Sequence, residues 1–141
     1  MPALTGLLTI MEKAARKAGG KLRRDFGEIE HLQVSQKGPA DFVSKADERA
    51  EDTIFRELEI ARPDWGFLME EGGEIAGAGG KPRFIVDPLD GTSNFLHGIP
   101  HFAISIAVRH GDKIEHGIIY DPIRQELFTA SRGQGAHLND R

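Results

Sequence analysis

The stretch Phe84-Ile85-Val86-Asp87-Pro88-Leu89-Asp90-Gly91-Thr92-Ser93-Asn94-Phe95, with the pair Glu70-Glu71 before it, decides how the rest of the chain is read. Phe84-Ile85-Val86 is a short apolar run with β character. Asp87-Pro88 is expected to end it, because proline donates nothing to a ladder and steers the preceding residue away from helix. The chain is therefore expected to turn at Asp87 and to leave two carboxylates, Asp87 and Asp90, at a strand end, followed by a glycine and two hydroxyls. Such a turn can aim both carboxylates and the Leu89 carbonyl at one point. Hard divalent cations such as magnesium favour oxygen ligands of this kind, with water and substrate phosphate completing the shell. Gly91-Thr92 is expected to open a short helix through Asn94, whose free amides could hold an anion. A D-P-x-D-G string is also ordinary turn chemistry, since each of its residue types suits a tight turn, so the spacing alone leaves both readings open.

At 141 residues and 39% hydrophobic content the chain is long enough for one core, and its length argues for one domain. Eighteen basic against twenty-two acidic residues give a net charge of −4, which offers no electrostatic footprint for direct nucleic-acid binding. The absence of cysteine removes disulfides and thiolate metal sites. The six histidines are scattered along the chain, which argues against a histidine zinc site. No apolar run is long enough to span a bilayer, no leader is evident, and a cytoplasmic location is the default expectation.

Leu4, Leu7, Leu8, Met11, Ala14, Ala15, Ala18, Leu22 and Phe26 recur at three- and four-residue steps and predict an amphipathic helix with one buried stripe. Gly19-Gly20 weakens it locally, since glycine inside a helix costs about 1 kcal/mol against alanine. His31 to Lys37 reads as extended and ends at the turn signal Gly38-Pro39. Ser44 with Asp47 three residues on has the form of an N-terminal cap, so a second helix is expected to enter there. Ala46, Ala50, Ile54, Leu58 and Ala61 mark its inner face, and Pro63 stops it. Glu48, Glu51 and Asp52, flanked by Lys45 and Arg49, read as a solvated face.

Trp65 to Met69 is a short apolar strand that delivers Glu70-Glu71 at its end, and Gly72 to Lys81, with five glycines, reads as a flexible connection. Beyond the central stretch, Phe102–Arg109 and Lys113–Tyr120 predict two strands across a His110-Gly111-Asp112 turn. Gln125–Ala130 and Ala136–Leu138 follow after further turns. The outcome is an α+β chain, an antiparallel meander with helices on one face.

Phe84 to His97 resembles, position by position, the first signature of the inositol monophosphatase family: an aromatic and two apolar residues, D-P-hydrophobic-D-G-T, two more residues and an aromatic. Lys37, Gly38, Asp41, Val43, Ser44 and Asp47 resemble the family's K-G-x-x-D-x-V-T-x-x-D, with serine for threonine. Glu70-Glu71 stands where the family reads G-E-E-S, with Met69 for glycine and Gly72 for serine, a departure that bears on loop shape. The resemblance implies the N-terminal half of a layered αβαβα sugar-phosphatase sandwich, two helices on a mostly antiparallel sheet. Residues 1–141 would form its metal-binding domain, with the C-terminal α/β half and its W-D-x-A-A-G motif absent from this chain.

The implied activity is magnesium-dependent hydrolysis of a phosphate monoester, most simply an inositol monophosphate, by an activated water and without a protein nucleophile. On the same resemblance, Glu70, Asp87, the Leu89 carbonyl and Asp90 would hold two or more magnesium ions. Glu70 would polarise the attacking water and Thr92 orient it, while Glu70, Leu89, Asp90, Gly91 and Thr92 would contact substrate and Asp47 would stand in the outer shell. The resemblance implies a small phosphorylated polyol or sugar as substrate and a homodimer as the assembly, and this half alone is expected to hydrolyse weakly or not at all. Fructose-1,6-bisphosphatase, histidinol-phosphatase and nucleotide 3′-phosphatase activities share the chemistry and stay open. K-G-P-A-D-F-V-S and P-H-F-A-I-S-I-A-V-R are most similar to the bacterial members known as extragenic suppressor proteins, which implies a non-catalytic partnership with the transcription machinery as the alternative.

Overall fold

A computed structural model describes residues 6–29 and 38–141. Leu4 of the first stripe and the extended reading of His31 to Lys37 lie outside the described residues. Helix α1 runs Gly6–Gly27 and buries Leu8, Met11, Ala14, Ala15, Ala18 and Leu22, the face that the apolar spacing predicts. Gly19-Gly20 does not interrupt it. A Cβ at Gly19 would lie 2.6 Å from the Tyr120 ring, so the missing side chain is what lets α1 approach the sheet.

Helix α2 spans Gly38–Ala61 and therefore begins six residues before the expected cap. Gly38 has φ +76°, a turn conformation that suits glycine, and Pro39 fills the first turn, where a missing N–H forfeits no helical bond. Asp41 adds a carboxylate to that turn, favourable at the positive end of the helix. Ser44 is thus an exposed interior position and not a cap. Val43, Ala46, Ala50, Ile54 and Leu58 are buried, and α2 packs along α1, with Lys17 to Glu57 (2.6 Å) and Lys21 to the Thr53 hydroxyl (3.0 Å) spanning the seam.

Seven strands follow: β1 Gly66–Met69, β2 Gly73–Ile75, β3 Arg83–Asp90, β4 Ala103–His110, β5 Lys113–Asp121, β6 Glu126–Ser131 and β7 Ala136–Leu138. Their order in the single sheet is β2-β1-β3-β4-β5-β6-β7, antiparallel throughout except for β1 beside β3. The helices cover one face, over Phe67, Phe84, Val86, Ile104, Ile106, Ile118 and Tyr120. On the other face Ile119 and Phe128 are 49% and 41% exposed, so the alternation predicted for the meander holds.

Two expectations for the middle of the chain fail for physical reasons. The glycine-rich connection contains β2, which returns along β1 with Met69 opposite Gly73 and Phe67 opposite Ile75. Gly77 makes this possible, because a Cβ there would lie 2.4 Å from the Gly66 nitrogen. The turn expected at Asp87 is instead a bulge, since β3 continues to Asp90. Asp87 pairs with Ser105 and Asp90 with Ala103, and Pro88 falls in the irregular step where its missing N–H breaks no ladder bond.

Candidate metal centre

The parallel pair β1 and β3 sets the geometry. Met69 is in register with Val86, so the next residues, Glu70 and Asp87, leave the ladder side by side at the same end of the sheet. Their carboxyl groups lie close enough to interact directly. Partial desolvation, then the charge and the close side-chain approach of Asp87, with smaller contributions from Glu71 and Glu51, push the Glu70 carboxyl up from its ordinary value.

Helix α2 supplies the other wall. Asp47 is 5% exposed and faces the strand ends. Carboxylate oxygens of Asp47, Glu70 and Glu71 lie within 4.8 Å of one another. Burial first, then the charges of Glu70, Glu71, Asp87 and Glu51, push the Asp47 carboxyl up to about 7. Among the described residues, Asp47 Oδ1 is buried and has no hydrogen-bond partner. An unpaired buried oxygen beside other carboxylates is costly to an ordinary fold, and a bound cation or the water around it would satisfy it.

The remaining expected site residues line the same strand end. The Leu89 amide donates to Asp87 Oδ1 at 3.2 Å, which shapes the bulge around Pro88. The Leu89 side chain is buried, and its carbonyl accepts the Thr92 hydroxyl at 3.1 Å. Gly91 has φ +98°, and a Cβ there would lie 3.0 Å from the His101 carbonyl, so the link from β3 into the short helix α3, Thr92–Leu96, requires glycine. That helix runs two residues past the expected Asn94. Asp90 is exposed and borders a cleft of about 420 Å³ that it shares with Asn94, His101, Arg124 and Glu126, whereas Asp87 touches Glu70.

Two residues were missed by the reading of the sequence. Glu71 joins the carboxylate cluster beside Glu70. Glu51 is 6% exposed, not solvated, and accepts the backbone amides of Glu71 and Gly72, each at 2.9 Å. The signal for it was the run Asp47, Glu51, Ile54, Leu58, whose steps of four, three and four place all four on one helical face.

Comparison with known proteins identifies the family and the fold. The Inositol monophosphatase family profile matches residues 4–141. An inositol-1-monophosphatase of Mesorhizobium japonicum is 58% identical over 139 residues, which is 99% of this chain and 52% of the relative. A Pseudomonas aeruginosa protein named Nus factor SuhB is 45% identical over 137 residues, 96% of this chain and 51% of that one. Among solved structures, the extragenic suppressor protein suhB of Bartonella henselae superposes with a TM-score of 0.86 at 60% identity over 97% of this chain and 53% of its own. The inositol monophosphatase of Anabaena superposes at 0.78 with 31% identity, covering 97% and 49%. The chain spans about half the length of these relatives. A carboxylate-rich strand end and a profile match over nearly every residue lead to the same conclusion: the chain belongs to the inositol monophosphatase family.

Proposed function

We propose that this chain is the metal-binding half of a magnesium-dependent phosphate monoester hydrolase that acts on an inositol monophosphate. The observation that carries the reading is the convergence of carboxylate oxygens of Asp47, Glu70 and Glu71, with Asp87 beside Glu70 and with Asp47 Oδ1 buried and without a hydrogen-bond partner among the described residues. The donors are all oxygen, which suits magnesium and does not suit softer metals. Glu70, Asp87, the Leu89 carbonyl and Asp90 would hold the ions, with Asp47 behind them. Bound there, divalent ions supply positive charge that activates water at neutral pH and stabilises the leaving alkoxide.

The chain's own residues do the rest. Glu70 polarises the water and Thr92 orients it, while the Gly91 and Thr92 amides receive phosphate oxygens and Asp90 accepts a substrate hydroxyl. Residues 1–141 serve as one domain, and a second half of the kind the longer relatives carry contributes the remaining carboxylate and the substrate selectivity. In full form the enzyme works as a cytoplasmic homodimer on a small phosphorylated polyol or sugar. The test is calorimetric titration of the chain with Mg2+, followed by phosphate release from inositol 1-phosphate by the chain joined to such a second half. Loss of both on replacing Asp87 and Asp90 with asparagine is expected. Failure of the unaltered chain to take up Mg2+ at millimolar concentration would refute the reading.

The relatives named Nus factor SuhB favour a second reading, a non-catalytic partner of the transcription machinery. The same double asparagine variant separates the two, because it would spare such a partnership while abolishing hydrolysis.

A further inference from the structure

Between the paired residues Met69 and Gly73, the chain makes its turn with Glu70, Glu71 and Gly72 outside the ladder. This turn carries two of the clustered carboxylates. Two of its three amides end on one side chain: Glu71 N–H donates to Glu51 Oε1 and Gly72 N–H to Glu51 Oε2, each at 2.9 Å. Glu51 lies one helical turn beyond Asp47 on α2 and is buried with it.

A carboxylate here is unexpected on electrostatic grounds, since it adds negative charge beside Asp47, Glu70, Glu71 and Asp87. A neutral residue would relieve that repulsion. Only a carboxylate, however, presents two acceptor oxygens to two neighbouring N–H groups; a glutamine offers one oxygen and turns an NH2 donor toward the other amide. We propose that Glu51 is a positioning residue, which clamps the turn from α2 so that Glu70 and Glu71 are held against Asp47. The helical turn that provides Asp47 thereby also fixes the strand end opposite it.

The inference rests on the metal reading of the site, and its test separates the two. Mg2+ titration of the unaltered chain is compared with Glu51→Gln and Glu51→Asp, together with hydrogen exchange at the Glu71 and Gly72 amides. Both variants are expected to bind Mg2+ about tenfold more weakly, as outer partners of metal ligands do when altered. Glu51→Asp is the telling one, because it keeps the charge and shortens the reach. If it binds like the unaltered chain while Glu51→Gln is weakened, Glu51 acts by charge alone and the proposal is overturned. Amide exchange in the unaltered chain decides the clamp even where a variant does not fold: protected amides at Glu71 and Gly72 support it, and exchange at the rate of an open turn overturns it. A chain that binds no Mg2+ but keeps these amides protected would sink the metal reading and leave the clamp standing.

Discussion

Replacing Asp47 with asparagine tests the electrostatics of the site at its most buried member. The Asp47 carboxyl is held at about 7 in the folded chain against an ordinary 3.8. Between those values the folded chain keeps a proton that the unfolded chain has released, so stability falls as pH rises through the window and levels off above about 7. At roughly 1.4 kcal/mol per unit, the ionised group costs the metal-free fold on the order of 4 kcal/mol at alkaline pH. The Glu70 carboxyl shifts the same way and adds to the slope. Urea unfolding in the presence of EDTA, at several values from about pH 4 to about pH 8, measures it directly. Asp47→Asn is expected to flatten most of the decline and to be roughly 2–4 kcal/mol more stable than the unaltered chain near pH 8. Saturating Mg2+ is expected to favour the unaltered chain by about 3 kcal/mol at a hundredfold excess over its dissociation constant, and the variant by less. A metal-free chain whose stability is flat over this range, or an asparagine variant that is no more stable near pH 8, would refute the reasoning.

Three further substitutions probe the frame around the site. Gly19→Ala should gain about 1 kcal/mol of helix propensity, yet the added Cβ would sit 2.6 Å from the Tyr120 ring; overpacking of about 1–3 kcal/mol wins, and the melting temperature should drop. A Cβ at Gly72 would meet the Met69 Cε at 2.8 Å, so Gly72→Ser should cost less in a Met69→Ala background, with a coupling of about 0.5–1 kcal/mol by double-mutant denaturation; additive effects would dismiss it. Gly91→Ala combines φ +98° with a 3.0 Å approach to the His101 carbonyl and should destabilise by about 1–3 kcal/mol, together with weaker Mg2+ binding because the bulge carrying Leu89 shifts.

The elements visible in the sequence were those with strong periodicity and clear punctuation. The α1 stripe and the β4–β7 meander follow from apolar spacing and from turn residues such as Gly111. The start of α2 was misread because Ser44 and Asp47 form a local cap pattern, whereas Gly38 and Pro39 open the helix earlier. Strand β2 was hidden because Gly73-Glu74-Ile75 has little strand propensity; its pairing depends on the close approach of Gly66 and Gly77 between the two arms of the hairpin. The carboxylates Glu70 and Asp87 were legible as strand-end residues, and the register of β1 with β3 explains why they meet. Glu51 was obscured by its neighbours, since an acidic run with flanking basic residues looks solvated until the helical face is counted from the buried Ile54 and Leu58.

The parallel register of β1 and β3 also settles where this protein can absorb change. Both strands arrive at the carboxylate end from the far end of the sheet, and the link between β2 and β3, from Ala76 to Pro82, lies at that far end. Residues spliced into the exposed stretch Ala78–Gly80 would lengthen a bend remote from the chemistry, while the ladder keeps Glu70 abreast of Asp87. Evolution or an engineer can graft new segments onto that distal rim, whereas a single inserted residue between Met69 and Gly73 would throw the acidic constellation out of alignment.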